Sequence, residues 1–210
     1  MTIQKLKYKL RYFRRFLCRN ILGICDVCFS SLNYTFKGNV NDKGEVKYDY
    51  ESRKTKKKIS AKFKINLKQP SRVSQSGPFE FEFRVWDREP ENLRGLASEI
   101  GSTLRDIKSD LDAGAGVSVY RDGFRVLPYG EIKNDWLRLD LRRVNNPTRR
   151  LSNNQVIGYI SINLDNNPQL VDQSNREGIV ESSAFNDLKE SITFILNELE
   201  NKRYNERPRQ

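Results

Sequence analysis

The sequence predicts an α+β fold in which an antiparallel or mixed sheet is covered by two long amphipathic helices. Apolar and polar residues alternate with period two over residues 34–67 and 78–86, which is typical of strands with one buried face. Apolar residues recur every three or four positions over residues 91–111 and 185–199, which is typical of helices packed on a sheet. A hairpin and a further β-rich segment separate these two helical patterns.

The chain begins with a basic leader, residues 1–33, in which cations alternate with aromatic and aliphatic side chains. Its apolar run over residues 21–29 is too short to span a bilayer, so no transmembrane segment is predicted. We expect a leader that is docked on the domain or disordered. A membrane-surface or nucleic-acid contact and an export signal remain as alternatives.

Residues 34–77 are predicted to form a β-meander followed by a loop. The segment Asn41–Gly44 has the composition of a hairpin turn, and the basic run Lys54–Lys58 marks the next turn. The third strand of this meander alternates apolar residues with lysines and serine, which predicts one buried and one solvent-facing side.

A second unit, residues 78–201, is predicted to run strand, helix, hairpin, strand, helix. The first helix is expected over Glu91–Leu111, although Gly101 weakens it. The hairpin turns at Arg121-Asp122-Gly123, and the last strand covers Val156–Ile162. Ser182 or Ser183 is predicted to cap the last helix, and residues 202–210 to form a polar tail.

Several strings of this second unit occur in an order that carries a family resemblance. They are Val117-Ser118-Val119-Tyr120-Arg121-Asp122-Gly123-Phe124-Arg125-Val126-Leu127-Pro128-Tyr129-Gly130, Asp135-Trp136-Leu137, Asn153-Asn154-Gln155-Val156-Ile157-Gly158 and Asp172-Gln173-Ser174-Asn175-Arg176-Glu177-Gly178. The chain resembles bacterial GHKL-type ATPases, the superfamily of gyrase B, MutL, histidine kinases and the large heat-shock chaperone. The resemblance covers roughly residues 79–199, and residues 34–67 more loosely. It implies the transducer region, with a β-α-β-β order, that follows the nucleotide-binding domain.

The resemblance implies ATP and magnesium as cofactors of the intact family, but none for this chain alone. Asp112–Gly116 matches the D-x-G-x-G string of the family's nucleotide site, yet here it is predicted to end a helix and lead into a strand. The preceding helix offers Glu99 and Thr103 at the spacing where the family places a magnesium-binding glutamate and asparagine. We therefore expect no nucleotide pocket and no catalytic residue in this chain.

In the family, a transducer loop places a basic or amide side chain on the terminal phosphate of ATP. The polar loop Val144–Asn154 and the glutamine that follows it supply side chains of this kind. The candidates are Arg149, Arg150, Asn153, Asn154 and Gln155. The alternative is a solvent-facing loop whose amides bond to its own turns.

The positive charge lies in the first third of the chain. The net charge is +11, but residues 1–72 hold 19 Lys/Arg against 5 Asp/Glu, and the remainder is slightly acidic. Such asymmetry suggests an anionic partner for the first third. The candidate nucleic-acid contacts are Lys5, Lys7, Lys9, Arg11, Arg14, Arg15, Lys54, Lys56, Lys57 and Lys58. A solvated surface, with lysines that protect a sheet edge from aggregation, is the alternative.

The leading hypothesis is a non-catalytic transducer segment, truncated or split from its nucleotide-binding half. It would couple the ATP state to contacts with an ATPase-domain subunit or in a homodimer. The second hypothesis is a basic nucleic-acid-binding module formed by residues 1–72. A self-contained enzyme is disfavoured because the chain has no histidine, no nucleophile motif and no paired-metal motif. Three cysteines and no histidine disfavour a zinc site, and this low cysteine count predicts a cytoplasmic location.

Overall fold

A computed structural model describes residues 32–67, 74–174 and 177–206 of the chain. Within these ranges the fold is α+β, as predicted, with one seven-stranded open sheet and four α-helices. The strands are β1 (Tyr34–Val40), β2 (Glu45–Ser52), β3 (Lys57–Lys64), β4 (Phe79–Val85), β5 (Gly116–Arg121), β6 (Phe124–Val126) and β7 (Val156–Ile162). The helices are α1 (Pro90–Ile100), α2 (Leu104–Ala113), α3 (Leu139–Asn145) and α4 (Ser183–Asn205), and a 3-10 helix covers Asn153–Gln155.

The strands are ordered β3-β2-β1-β4-β7-β5-β6 across a single mixed sheet. All neighbouring pairs are antiparallel except β5 and β7, which are parallel. The predicted meander therefore forms one half of the sheet, joined to the other half through the pairing of β1 with β4. The β5–β6 turn has two residues, Asp122 and Gly123, both with positive φ, which suits a hairpin turn with glycine in second place.

One face of the sheet packs against α4 and forms the main core. Alternate aromatic residues of β1, β2 and β4 lie on this face, including Phe36, Tyr50 and Phe83, each at most 1% exposed. The predicted apolar stripe of α4 covers them, and its six members are almost fully buried: Phe185, Leu188, Ile192, Ile195, Leu196 and Leu199. The stacked rings of Phe36 and Phe81, with centroids 5.7 Å apart, continue this core across the strands.

A smaller core lies on the opposite face, where α1 and α2 pack around Trp86 and Ile157. The prediction of one continuous helix over Glu91–Leu111 is wrong, because the chain forms two helices with a break at Gly101–Thr103. Gly101 ends α1 in a left-handed conformation with φ of 68°, and Thr103 begins α2 by accepting a hydrogen bond from the backbone N–H of Asp106. The apolar spacing continues through the break, which explains why the pattern resembled one helix.

The face opposite the main core also buries charge within β4. Glu82 is 1% exposed and Arg84 is 8% exposed, and their side chains pair at 2.7 Å. The hydroxyl of Tyr159 on β7 donates to Glu82 at 3.0 Å. Alternation in β4 predicted an aromatic core face correctly, but it does not reveal that the charged face is covered as well.

Helix α4 starts after Ser182, whose hydroxyl oxygen accepts a hydrogen bond from the N–H of Phe185. This is one of the two predicted caps. The helix continues to Asn205, beyond the predicted end of the domain at residue 201. The extension has a physical cause, because Arg203 is 2% exposed and pairs with the buried Asp87 after β4, with Nε 2.9 Å from Oδ1.

Candidate functional site

The candidate phosphate-sensing loop begins at α3, a short helix that the sequence analysis did not predict. The carboxylate of Asp135 accepts hydrogen bonds from the backbone N–H groups of Leu139 and Asp140, both at 2.8 Å, and so caps the first turn of α3. The indole N–H of Trp136 donates to the carbonyl oxygen of Val117 at 2.7 Å, and the indole stacks on Phe185 of α4. These contacts fix the start of the loop to β5 and α4.

Glu200 of α4 lies at the centre of the site and is fully buried. Its carboxylate accepts hydrogen bonds from Arg142 at 2.9 Å, from Arg150 at 2.6 Å and from the backbone N–H of Leu151 at 3.0 Å. Both arginines also donate to the side-chain oxygen of Asn197, one helical turn earlier. The end of α3 and the loop after it are therefore joined to α4 through one carboxylate.

The cluster holds more positive than negative charge. Two guanidinium groups share the single carboxylate of Glu200, and a third, that of Arg143, donates to Ser152 at 2.8 Å. Burial lowers the pKa of Arg142, Glu200 opposes this shift, and the neighbouring Arg150 adds to it. Within the described ranges, Nη1 of Arg142 is buried without a hydrogen-bond partner. Around Glu200 the two guanidinium groups therefore outnumber the carboxylate that receives them.

The two candidate arginines differ in availability. Arg150 is held by Glu200, and releasing it would leave a buried carboxylate with one fewer partner. Arg149 is exposed; its Nε donates to Asn201 at 2.8 Å and its guanidinium lies 5.9 Å from the ring centroid of Tyr204. Its terminal nitrogens have no bonding partner among the described residues. Arg149 is thus positioned by α4 and still open to a ligand.

The three amide candidates take part mainly in local structure. Gln155 is buried, and its side-chain oxygen lies 3.2 Å from the backbone N of Ser152, which completes a capping box around the 3-10 helix. The amide oxygen of Asn154 lies 2.6 Å from the hydroxyl of Ser152. The backbone N–H of Asn153 donates to Asp140 at 2.9 Å, whereas its side-chain amide bonds to no described residue.

The candidate nucleic-acid contacts also divide. Lys5, Lys7, Lys9, Arg11, Arg14 and Arg15, like the leader they belong to, lie outside the described residues. Lys54 is 3.8 Å from Asp87 and 4.0 Å from Glu89, and Lys58 is 2.9 Å from Glu51. Lys56 and Lys57 are exposed, and no described acidic group lies within 4.0 Å of either.

Sequence reasoning missed Glu200 and Arg203, although a signal was present. The apolar stripe of α4 continues by four residues from Leu196 to Glu200 and from Leu199 to Arg203. Charged residues at core-facing positions require buried partners, because an unpaired buried charge is costly. The partners come from segments distant in sequence, so their identity was not readable from the chain.

The string Asp112–Gly116 spans the end of α2 and the start of β5, as predicted. Asp112 forms a two-pronged ion pair with Arg88, at 2.8 and 3.3 Å. Among the residues that the structure describes, no three metal-binding side chains are grouped as in a metal site. In the same part of the chain, no helix has the length and apolar character needed to cross a membrane.

No protein-family model matches this chain, and neither a curated protein nor a solved structure shows significant similarity to it. The GHKL resemblance therefore depends on the quoted sequence strings, and its functional consequences are proposals.

Proposed function

We propose that this chain is a non-catalytic transducer segment that works with a separate GHKL-type nucleotide-binding domain. In this proposal Arg149 contacts the terminal phosphate of ATP held by that domain, and α4 relays the contact to the sheet. The partner domain is a separate subunit. It assembles either with one copy of this chain or with a homodimer of it. ATP and magnesium are cofactors of the assembly rather than of this chain.

The observation that carries the proposal is the arrangement of neighbouring arginines on one loop. Arg150 fixes the loop to the buried Glu200, while the terminal nitrogens of Arg149 beside it have no hydrogen-bond partner in the part of the chain that the structure describes. A phosphate sensor needs a cation held in a defined place, because binding energy is lost when a flexible side chain must be ordered. Asn201 and Tyr204 of α4 restrict Arg149 without neutralising its charge.

A relay from the loop to the sheet has a direct structural path. Glu200 and Arg203 are three residues apart on α4, so they lie on the same side of the helix. Glu200 receives the loop through Arg150, and Arg203 pairs with Asp87 at the β4–α1 connection. Movement of the loop would therefore displace α4, and with it Arg203, relative to the buried Asp87.

The test begins with recovery of the native chain from its host and identification of bound proteins by mass spectrometry. We expect an ATP-binding partner whose ATP turnover rises when the purified chain is added, while the chain alone shows no turnover. Arg149→Ala should lower the stimulated turnover by about 100-fold, which is typical for removing one donor to a developing phosphate charge. Arg105→Ala removes another exposed arginine, on α2, and should have no effect.

Three results would contradict the proposal. One is ATP turnover by the isolated chain that disappears when its own residues are changed. Another is the absence of any ATP-binding protein among the recovered partners. The third is equal stimulated turnover for Arg149→Ala and Arg105→Ala, which would show that the loop arginine has no special role.

A further inference from the structure

The exposed face of the β1–β3 meander, on the side opposite α4, carries five lysines. We call it the lysine face; its members are Lys37, Lys47, Lys58, Lys62 and Lys64. Register places Lys47 of β2 directly opposite Lys62 of β3, with Lys64 two residues further on the same side. Because residues two apart on a strand are separated by roughly 6.6 Å, the backbone positions of Lys47, Lys62 and Lys64 lie close together. Glu45 lies directly opposite Lys64 on the same face, so this group of three lysines has one acidic neighbour in register.

The positive charge of this region exceeds what its own acids neutralise. Residues 32–67 hold ten Lys/Arg and four Asp/Glu. Four of the cations pair with acidic groups: Lys37 with Asp49, Lys58 with Glu51, Arg53 with Glu99 and Lys54 with Asp87. Among the described residues, no acidic oxygen lies within 4.0 Å of the other six, which are Lys43, Lys47, Lys56, Lys57, Lys62 and Lys64.

Protection of a sheet edge does not account for this arrangement. β3 is an edge strand, and its lysines suit that role. Lys47, however, lies on β2, which is paired on both sides. Like charges directly opposite one another on a sheet destabilise it. Lys47 therefore adds no protection at the sheet edge, and its repulsion with Lys62 has no structural benefit. An anionic ligand that contacts both ammonium groups would offset this repulsion.

We infer that the lysine face binds the phosphate backbone of a duplex nucleic acid without reading its sequence. The strands turn all their aromatic and aliphatic side chains to the α4 side, so the described residues of β1–β3 supply only Lys, Asp, Glu, Ser, Thr and Asn to this face. Single-stranded nucleic acids are held largely by stacking on aromatic side chains, and membrane surfaces by inserted apolar groups. A face with neither offers charge alone, which fits a regular array of phosphates.

The test is fluorescence anisotropy of a labelled short DNA duplex titrated with the full chain at several salt concentrations. The triple variant Lys47→Gln, Lys62→Gln, Lys64→Gln removes three phosphate contacts. Each contact contributes about 0.9 to the slope of log affinity against log salt, so the slope should fall by about 2.7. When the salt concentration rises from roughly 50 to 200 mM, both proteins lose affinity. The fold loss should be about 40 times smaller for the variant than for the unmodified chain.

Two further triple variants serve as controls. Arg105→Gln, Lys108→Gln, Lys133→Gln changes the net charge equally at exposed positions on α2 and a loop, and should keep the original slope. The variant Lys47→Arg, Lys62→Arg, Lys64→Arg should also keep the original slope, because the phosphate contacts remain. Circular dichroism checks that each variant is folded.

The inference is overturned if the unmodified chain shows no duplex binding at low salt, or if the lysine-face and control variants change the slope equally. It is also overturned if unlabelled single-stranded DNA, or vesicles of phosphatidylcholine and phosphatidylserine, displace the labelled duplex better than unlabelled duplex does. The lysine face shares no residue with the loop after α3, so either proposal can fail without the other.

Discussion

Glu200→Gln removes the charge that joins the loop after α3 to α4 while preserving the shape of the side chain. Glu200 is fully buried, and three donors converge on it from Arg142, Arg150 and Leu151. Removing one partner of a buried ion pair costs roughly 3–5 kcal/mol, because the remaining charge is left uncompensated. The side chains of Arg142 and Arg150 retain 19% and 28% exposure, so water offsets part of the loss. We expect a cost near the lower limit, about 3 kcal/mol.

Chemical denaturation followed by circular dichroism measures this cost as a shift in the midpoint at constant slope. In a thermal scan the same change lowers Tm by about 6–12 °C for a domain of this size. Glu198→Gln is the matched control on the same helix. Glu198 pairs at 3.4 Å with Lys202 and its side chain is 34% exposed, so its loss should cost at most about 0.5 kcal/mol.

Equal midpoints for Glu200→Gln and Glu198→Gln would refute the reasoning, because the buried carboxylate would then contribute no more than an exposed one. A double-mutant cycle with Arg150→Met separates the pair from the rest of the network. It should give a coupling energy of about 0.5–3 kcal/mol.

Three further predictions concern the stability of the fold. Tyr129→Phe removes the hydroxyl that accepts the N–H of Ile179 at 3.0 Å, and should cost about 1–3 kcal/mol of unfolding free energy; an unchanged denaturation midpoint would contradict it. Burial raises the pKa of Glu80 above its usual 4.5, so the folded state is penalised once this group ionises. Glu80→Gln should therefore stabilise the protein at neutral pH and lose that advantage below pH 4.5, whereas a pH-independent gain would exclude this cause. Gly38→Ala places a Cβ against the carbonyl oxygen of Lys47 and 2.9 Å from the Cα of Tyr48. Because backbone atoms cannot move aside cheaply, it should lower Tm measurably, and a wild-type Tm would show that β1 and β2 can separate.

Periodicity determined most of the fold. Strict alternation in residues 34–67 and 78–86 predicted the four strands β1 to β4 and the aromatic face of the core, all of which the structure contains. The spacing of apolar residues located α4, and turn residues located the β5–β6 hairpin. These patterns are local consequences of side-chain geometry, so the sequence suffices to read them.

Apolar spacing did not predict helix ends where the backbone breaks within a continuous apolar stripe. One helix was predicted over Glu91–Leu111, but Gly101 and Thr103 end one helix and begin another while the apolar residues keep their spacing. Helix α3 was missed because its seven residues are too few to establish a period, and the capping carboxylate of Asp135 lies outside the helix.

Composition and spacing are enough to place the charges along the chain. They identified the basic first third and the two arginines of the loop before β7. Which of these charges are already neutralised becomes visible only when the folded segments are seen together. Arg150 finds its partner 50 positions away on α4, and Lys58 pairs with Glu51. Among the described residues, the terminal nitrogens of Arg149 and the ammonium group of Lys62 have no such partner. Ion pairing depends on distances of a few ångströms between segments that folding brings together, and no spacing along the chain encodes them.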